Sequence, residues 1–110
     1  MALSEEVRKQ IEEDIKANKV LLYMKGTSAM PQCGFSGQVV SILNHFGIQF
    51  ESRNILEDPE LRQGIKEFSD WPTIPQLYVN GEFIGGCDIV TEMAQSGELK
   101  QLFQQEGILS

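Results

Sequence analysis

The stretch Val20-Leu21-Leu22-Tyr23-Met24-Lys25-Gly26 decides the fold together with the two segments that follow it. Its first five residues are apolar without alternation and too few for a helix, which predicts a central strand buried on both faces. Residues 34–46 carry apolar side chains at helical spacing and end at Gly47, and residues 48–55 then have the pattern of a half-exposed strand. Two strands joined by one helix over so short a length predict a βαβ unit, with parallel strands and a right-handed crossover.

Helices are predicted on both sides of this unit. Ser4 is a good N-cap, and apolar residues recur every four positions from there to about Lys16, which predicts an amphipathic helix. Asp58-Pro59-Glu60 combines an N-cap, an N1 proline and a first-turn acid, and so predicts another helix. Gly64 weakens that helix by about 1 kcal/mol relative to alanine, and nothing in the sequence explains its presence.

The C-terminal part predicts a hairpin and an interrupted helix. Asn80-Gly81 tolerates the two positive φ angles of a type I′ turn between strands at 76–79 and 82–85. Asp88 is the predicted N-cap of a final helix, which breaks at Gly97 and then resumes. The order of these elements predicts an α/β fold in which a four-stranded mixed sheet is flanked by helices on both faces, the thioredoxin-like arrangement.

Composition limits the partners and the compartment. With 110 residues, 41% of them apolar and 23% charged, the chain has the size of one domain, expected to span 1–110 with its core at about 7–104. A net charge of −7 argues against nucleic acid and anionic membrane surfaces as partners, and the longest uncharged apolar run is only five residues. Two distant cysteines and an acidic start without a signal-peptide pattern predict a cytoplasmic protein, with a mature mitochondrial form left open.

The chemistry centres on Cys33, which lies between Pro31 and the helix predicted at 34–46. A dithiol redox protein has a second cysteine three positions later, where this chain has Ser36. Whatever Cys33 does must therefore finish with a sulfur from elsewhere: a small thiol, the distant Cys87 or a second chain. Unpaired amides at the helix start, and the nearby charge of Lys25, are expected to favour the thiolate, which is both a nucleophile and a metal ligand. The alternative is a loop thiol of no consequence.

Two glycine- and proline-rich segments are further candidates. Trp71-Pro72-Thr73-Ile74-Pro75 is either a rigid loop before an edge strand or a cis segment in which Ile74 offers its backbone amide and carbonyl to an extended peptide beside Cys33. Gly85-Gly86-Cys87-Asp88 lets the backbone pass close to a ligand, where Asp88 is a plain helix cap or also holds an ammonium group. His45 has no companion at ligand spacing, and we assign no metal to it.

Four separated motifs carry a resemblance to one family. They are Met24-Lys25-Gly26, Cys33-Gly34-Phe35-Ser36, the segment 71–76 and Gly85-Gly86-Cys87-Asp88. Together, in this order, they resemble the single-domain monothiol glutaredoxins of bacteria and mitochondria, which have a CGFS active site. The likeness runs over about 7–102, nearly the whole chain.

The resemblance implies a thioredoxin fold, glutathione as a bound cofactor and a [2Fe-2S] cluster bridging a homodimer. It implies that Cys33 is both the cluster ligand and the redox-active thiol. It also implies a set of glutathione contacts: Lys25 and Arg62 at the glycyl carboxylate with Lys66 as a helper, the backbone of Ile74 at the cysteinyl part, and Cys87 and Asp88 at the γ-glutamyl end.

A [2Fe-2S] cluster takes four thiolates. Two chains supply two through Cys33, and the other two come either from bound glutathione or from Cys87 of both chains. The expected function is transfer of the cluster to apo iron-sulfur proteins. The alternatives are a glutathione-dependent thiol-disulfide oxidoreductase that uses Cys33 alone, and a subunit that binds a BolA-like protein through a shared cluster.

Overall fold

The computed structural model describes residues 3–110, so the first two positions of the expected domain lie outside it. Its helices are α1 (Glu5–Ala17), α2 (Gly34–His45), α3 (Pro59–Ser69), α4 (Cys87–Ser96) and α5 (Glu98–Gln105), with a short 3-10 turn at Ile55–Glu57. Its strands are β1 (Val20–Met24), β2 (Glu51–Asn54), β3 (Gln76–Val79) and β4 (Glu82–Gly85). The order of types along the chain is the one that the sequence predicts.

The four strands form one mixed sheet in the order β2-β1-β3-β4. Strand β1 pairs with β2 in parallel and with β3 antiparallel, and β3 pairs antiparallel with β4. The βαβ unit and the central place of β1 are therefore confirmed. Strand β3 is also an inner strand, so Pro75 precedes the middle of the sheet and not an edge.

Side chains of β1 enter two separate cores, which explains its continuous apolar sequence. Leu21 and Tyr23 pack against α1 and α3 on one face of the sheet. Val20, Leu22 and Met24 pack on the other face, in a core shared with α2, α4 and α5. Helices thus cover both faces, and the predicted thioredoxin-like fold is confirmed. No helix within 3–110 is both long and apolar enough to cross a membrane.

Strand β2 is shorter than the predicted 48–55. Its first pairing joins Glu51 to Leu21, the second residue of β1, so residues 48 and 49 would lie beyond the start of that strand in the same register. Ile48 is buried in the core instead. The strand ends where the Asn54 side chain accepts hydrogen bonds from the amides of Leu56, at 3.1 Å, and of Gly26, at 2.9 Å.

The predicted N-cap role of Asp88 is wrong. Helix α4 begins at Cys87 with Gly86 as its N-cap, and no side chain makes the capping hydrogen bond. The reason is that β4 ends at Gly85, so that one extended glycine suffices to connect strand and helix. Asp88 lies in the first turn, where a carboxylate still meets the positive end of the helix dipole.

The structure explains Gly64, which lies where α1 and α3 approach each other. A Cβ atom at this position would overlap the Cγ1 atom of Val7, which is buried on α1. Any side chain here would force the two helices apart. The glycine therefore allows close helix packing, which outweighs its low helix propensity.

Candidate functional site

A cleft of about 500 Å³ lies at the end of the sheet where β1 finishes. Its walls come from the start of α2, the loop before β3, the start of α4 and one side chain of α3. Six of the predicted site residues line it: Lys25, Cys33, Lys66, Ile74, Cys87 and Asp88. Arg62 does not line the cleft; it is exposed on α3, one helical turn before Lys66.

Cys33 is the N-cap residue of α2 and is partly exposed. The pKa of the thiol is held below its usual value, and the backbone amide of Ser36 is the largest cause. The thiol nevertheless accepts no hydrogen bond of capping geometry from the first turn of α2. Partial burial opposes this shift, whereas the amide of Phe35 and the charge of Lys25 add to it. The start of α2 therefore favours a thiolate that remains open to the cleft.

Ser36 has a structural role that the sequence does not reveal. Its side chain is fully buried, and its hydroxyl oxygen accepts a hydrogen bond of 3.1 Å from the backbone amide of Lys25. This bond ties the end of β1 to the first turn of α2. The residue that replaces the second cysteine thus also fixes the backbone that carries Lys25.

The loop between β1 and Cys33 is folded tightly back on itself. The amide of Gln32 donates to the carbonyl of Lys25 at 2.9 Å. Gly26 has a φ of 91°, and a Cβ atom there would lie 2.6 Å from the carbonyl oxygen of Met30. Only glycine suits this position, which explains the Lys25-Gly26 pair and sets the distance from the strand end to Cys33.

The loop before β3 forms the opposite wall. Its Ile74-Pro75 bond is cis, as the second of the two sequence hypotheses predicts. Ile74 is buried and lines the cleft, and within 3–110 neither its N–H nor its C=O makes a hydrogen bond to other parts of the chain. A buried backbone position with both groups free is suited to pairing with an extended peptide.

Cys87 reaches the cleft from the start of α4 and is partly buried. Its sulfur lies 3.9 Å from the hydroxyl of Thr91, which in turn accepts a 2.9 Å hydrogen bond from the side chain of Gln38 on α2. Both cysteines are free thiols. In the part of the chain that the structure describes, no three His, Cys, Asp or Glu side chains are grouped closely enough to hold a metal ion.

The mouth of the cleft is apolar. The Phe35 side chain is 61% exposed and that of Trp71 is 37% exposed, and both line the opening. Met30, in the loop before Cys33, is 68% exposed. Exposed apolar side chains of this size, grouped around the opening of a cleft, are typical of a surface that meets another molecule.

Comparison with known proteins agrees with this geometry. The family model described as glutaredoxin matches residues 20–84. The chain is 57% identical over 108 residues to the mitochondrial monothiol glutaredoxin-5 of Saccharomyces cerevisiae, covering 96% of this chain and 72% of the yeast protein. It is 56% identical over 102 residues to an uncharacterized monothiol glutaredoxin, ycf64-like, of Synechocystis sp., covering 93% and 95% of the two chains.

A solved structure shows the same fold. The solution structure of reduced apo GrxS14 from poplar superposes with a TM-score of 0.83 and 51% identity, covering 96% of this chain and 97% of the poplar chain. The family model spans more than half of the present sequence, including Cys33 and the loop before β3. With one thiol at the start of α2, a serine where a second would stand, and close relatives that are monothiol proteins, this chain belongs to the glutaredoxin family as one of its monothiol members.

Proposed function

We propose that this chain binds glutathione in the cleft, holds a [2Fe-2S] cluster between two copies of itself and transfers the cluster to apo iron-sulfur proteins. The observation that carries the proposal is that Cys33 has no resolving thiol three residues on. The position is filled by a buried serine whose hydroxyl is already engaged. A lone thiolate of this kind needs sulfur from a second molecule, whether it acts as a ligand or as a nucleophile.

The cleft has the charges and backbone groups that glutathione needs. Glutathione is a tripeptide with a carboxylate at each end and an ammonium group at the γ-glutamyl end. Lys25 and Lys66 offer cations for the glycyl carboxylate, and Arg62 adds a further positive charge on α3, one helical turn before Lys66 and outside the cleft lining. The free backbone of Ile74 would pair with the cysteinyl residue, which places the thiol of glutathione towards Cys33. Asp88 would hold the ammonium group, next to Cys87.

The ligand count then favours a dimer. A [2Fe-2S] cluster takes four thiolates, and one Cys33 with one glutathione supplies two. Two chains with two glutathiones complete the set. The competing arrangement uses Cys33 and Cys87 from both chains. The glutathione arrangement is favoured because Cys87 packs against the hydrophobic core beside Thr91, whereas the helix start holds the pKa of Cys33 below its usual value and so favours a thiolate ligand.

Such a cluster is suited to transfer. Half of its ligands belong to small molecules that dissociate without unfolding the protein. The remaining two are partly exposed thiolates at an open cleft. An apo-protein with free cysteines can therefore replace the ligands one at a time, and the apolar mouth of the cleft offers a surface on which it can dock.

Anaerobic reconstitution tests the proposal. The apo-protein, first reduced with a phosphine that is then removed, is mixed with ferric iron and sulfide, with and without glutathione, and bound iron and sulfide are measured after gel filtration. We expect a protein dimer that carries one cluster, and only when glutathione is present. The cluster should be lost in Cys33→Ser and retained in Cys87→Ser. Equal cluster formation without glutathione would contradict the model, and loss in Cys87→Ser would favour the arrangement with four protein thiolates.

A second candidate is glutathione-dependent reduction of glutathionylated proteins, favoured by the lowered pKa and partial exposure of Cys33. The Cys33 thiolate would attack the glutathione sulfur of the mixed disulfide, and the protein thiolate would leave and take up a proton. A second glutathione thiolate would then attack the Cys33 disulfide, which releases glutathione disulfide and restores the thiolate. Turnover at about 1 to 1000 per second would support this candidate, and near-absent turnover would remove it.

Two further proposals concern partners and location. A cluster with exchangeable ligands could also be shared with a BolA-like protein, which co-purification of a mixed complex would test. We place the protein in the cytoplasm, with the interior of mitochondria as the alternative. The mitochondrial alternative is supported by the similar protein of Saccharomyces cerevisiae, whose name places it in mitochondria, and the similar chain of Synechocystis sp. supports a setting without that organelle. Tagging the endogenous chain and fractionating the cells would decide between them.

A further inference from the structure

Gln76 lies beneath the loop that carries Ile74, and its position suggests a task. Its side chain is fully buried and does not line the cleft. Its amide nitrogen donates to two carbonyl oxygens of the loop, that of Trp71 at 3.1 Å and that of Thr73 at 3.3 Å. Its amide oxygen accepts a 3.2 Å hydrogen bond from the hydroxyl of Tyr78.

The chemistry of these partners fixes the orientation of the amide. A carbonyl oxygen can only accept, so the NH₂ group of Gln76 must face Trp71 and Thr73. The hydroxyl of Tyr78 then donates to the remaining oxygen. Both ends of the amide are satisfied, as a buried polar side chain requires. A flipped amide would bring an oxygen against two oxygens and leave the NH₂ group without an acceptor.

The loop is also confined from the side. Gly86 passes so close that a Cβ atom there would lie 3.2 Å from the carbonyl oxygen of Pro75 and 3.3 Å from the indole nitrogen of Trp71. Backbone of the loop is thus held from below by Gln76 and laterally by Gly86. Ile74, the residue with both backbone groups free, lies between Thr73, whose carbonyl Gln76 binds, and Pro75.

We infer that Gln76 is a positioning residue that holds the loop so that the free backbone of Ile74 is ready to pair with the peptide backbone of glutathione. This inference rests on the proposed function for its ligand. The two hydrogen bonds from Gln76 to the carbonyls of Trp71 and Thr73, which we call the clamp, are a property of the chain itself and can be studied without glutathione. A preorganised peptide-binding backbone raises affinity because less conformational entropy is lost on binding.

The test uses Gln76→Met, which keeps the length of the side chain and removes both donors, with Gln101→Met on the exposed face of α5 as the control. Titration of reduced glutathione into labelled protein, followed by NMR, gives the dissociation constant. The NMR order parameter of the Ile74 N–H in the free protein reports how firmly Gln76 holds the loop, because within 3–110 this amide makes no hydrogen bond whose opening hydrogen exchange could measure. The rate of Cys33 alkylation reports the thiol, on which Gln76 should have no influence.

For Gln76→Met we expect about tenfold weaker glutathione binding, equivalent to about 1.4 kcal/mol. The order parameter of Ile74 should fall from the rigid range of about 0.85 towards about 0.6 or below, and alkylation of Cys33 should be unchanged. Tyr78→Phe, which frees only the far end of the amide, should give a smaller change in the same direction. An unchanged order parameter at Ile74 in Gln76→Met would overturn the inference. If the parent chain bound no glutathione, the proposed function would fail, whereas a lower order parameter in Gln76→Met would still support the clamp.

Discussion

Replacement of Ser36 by alanine separates the structural role of this serine from the mere absence of a cysteine. The change removes the hydroxyl oxygen that accepts a 3.1 Å hydrogen bond from the backbone amide of Lys25. Ser36 is fully buried, so water cannot easily take the place of its hydroxyl. A buried donor left without a partner reduces the free energy of unfolding by about 1–3 kcal/mol. Alanine has the higher helix propensity by about 0.5 kcal/mol, which only partly offsets this loss.

The expected net loss for Ser36→Ala is about 1–2 kcal/mol, or about 4 °C in Tm for each kcal/mol in a domain of this size. Urea unfolding with a constant m-value gives the difference in stability. Ser41→Ala is the matched control, because Ser41 lies on the same helix and is exposed. The pKa of Cys33 should also rise slightly, since the Ser36 side chain contributes to lowering it. The ultraviolet absorbance of the thiolate, followed against pH, measures this. Equal stabilities for the two alanine variants would refute the reasoning.

Three other predictions follow from the described geometry. Lys25→Gln should raise the pKa of Cys33 modestly, because the ammonium group is one of several influences that lower it. The rate of Cys33 alkylation against pH measures this, and the control Lys100→Gln, on α5, should leave that rate unchanged at each pH. Identical pH profiles for the two variants would contradict the prediction. Gly64→Ala should reduce the free energy of unfolding by about 1–2 kcal/mol, because the overlap with α1 outweighs a propensity gain of about 1 kcal/mol. Gly37→Ala, which meets only ordinary contacts, should stabilise the chain, and a stabilising Gly64→Ala would be inconsistent with the packing. Burial raises the pKa of Tyr23 and of Tyr78, that of Tyr78 to about 12. The contribution of the two neutral side chains to the free energy of unfolding should therefore be fully present below about pH 10 and be lost as the pH rises towards 12. Phenolate absorbance that appears near pH 10 in the folded protein would speak against this.

Features that depend on local pattern were predictable from the sequence. The apolar run of β1, the positive-φ pair Asn80-Gly81 and the break at Gly97 are set by neighbouring residues, and the structure has each of them where the pattern indicates. The proximity of most candidate site residues could also be predicted from the order of the elements, because strand ends and helix starts meet at one edge of a thioredoxin-like sheet. Arg62 is the predicted site residue that does not line the cleft, because it lies on α3 one helical turn before Lys66, which does.

Features that depend on distant partners were not predictable. The bond from Lys25 to Ser36, the contact between Gly64 and α1 and the amide of Gln76 beneath its loop all join residues whose proximity is decided only by the packed fold. The N-cap prediction for Asp88 fails for a related reason. An aspartate before an apolar run satisfies the N-cap pattern, but the pairing of β4 brings the helix start one residue before it.

The central claim is that a lone thiolate in each of two chains shares a cluster with two glutathione thiols. Native mass spectrometry of the anaerobically reconstituted protein measures this directly, because it weighs the intact assembly with its ligands. We predict a mass equal to two chains, one [2Fe-2S] cluster and two glutathione molecules. A cluster-bearing dimer whose mass includes no glutathione would contradict the account.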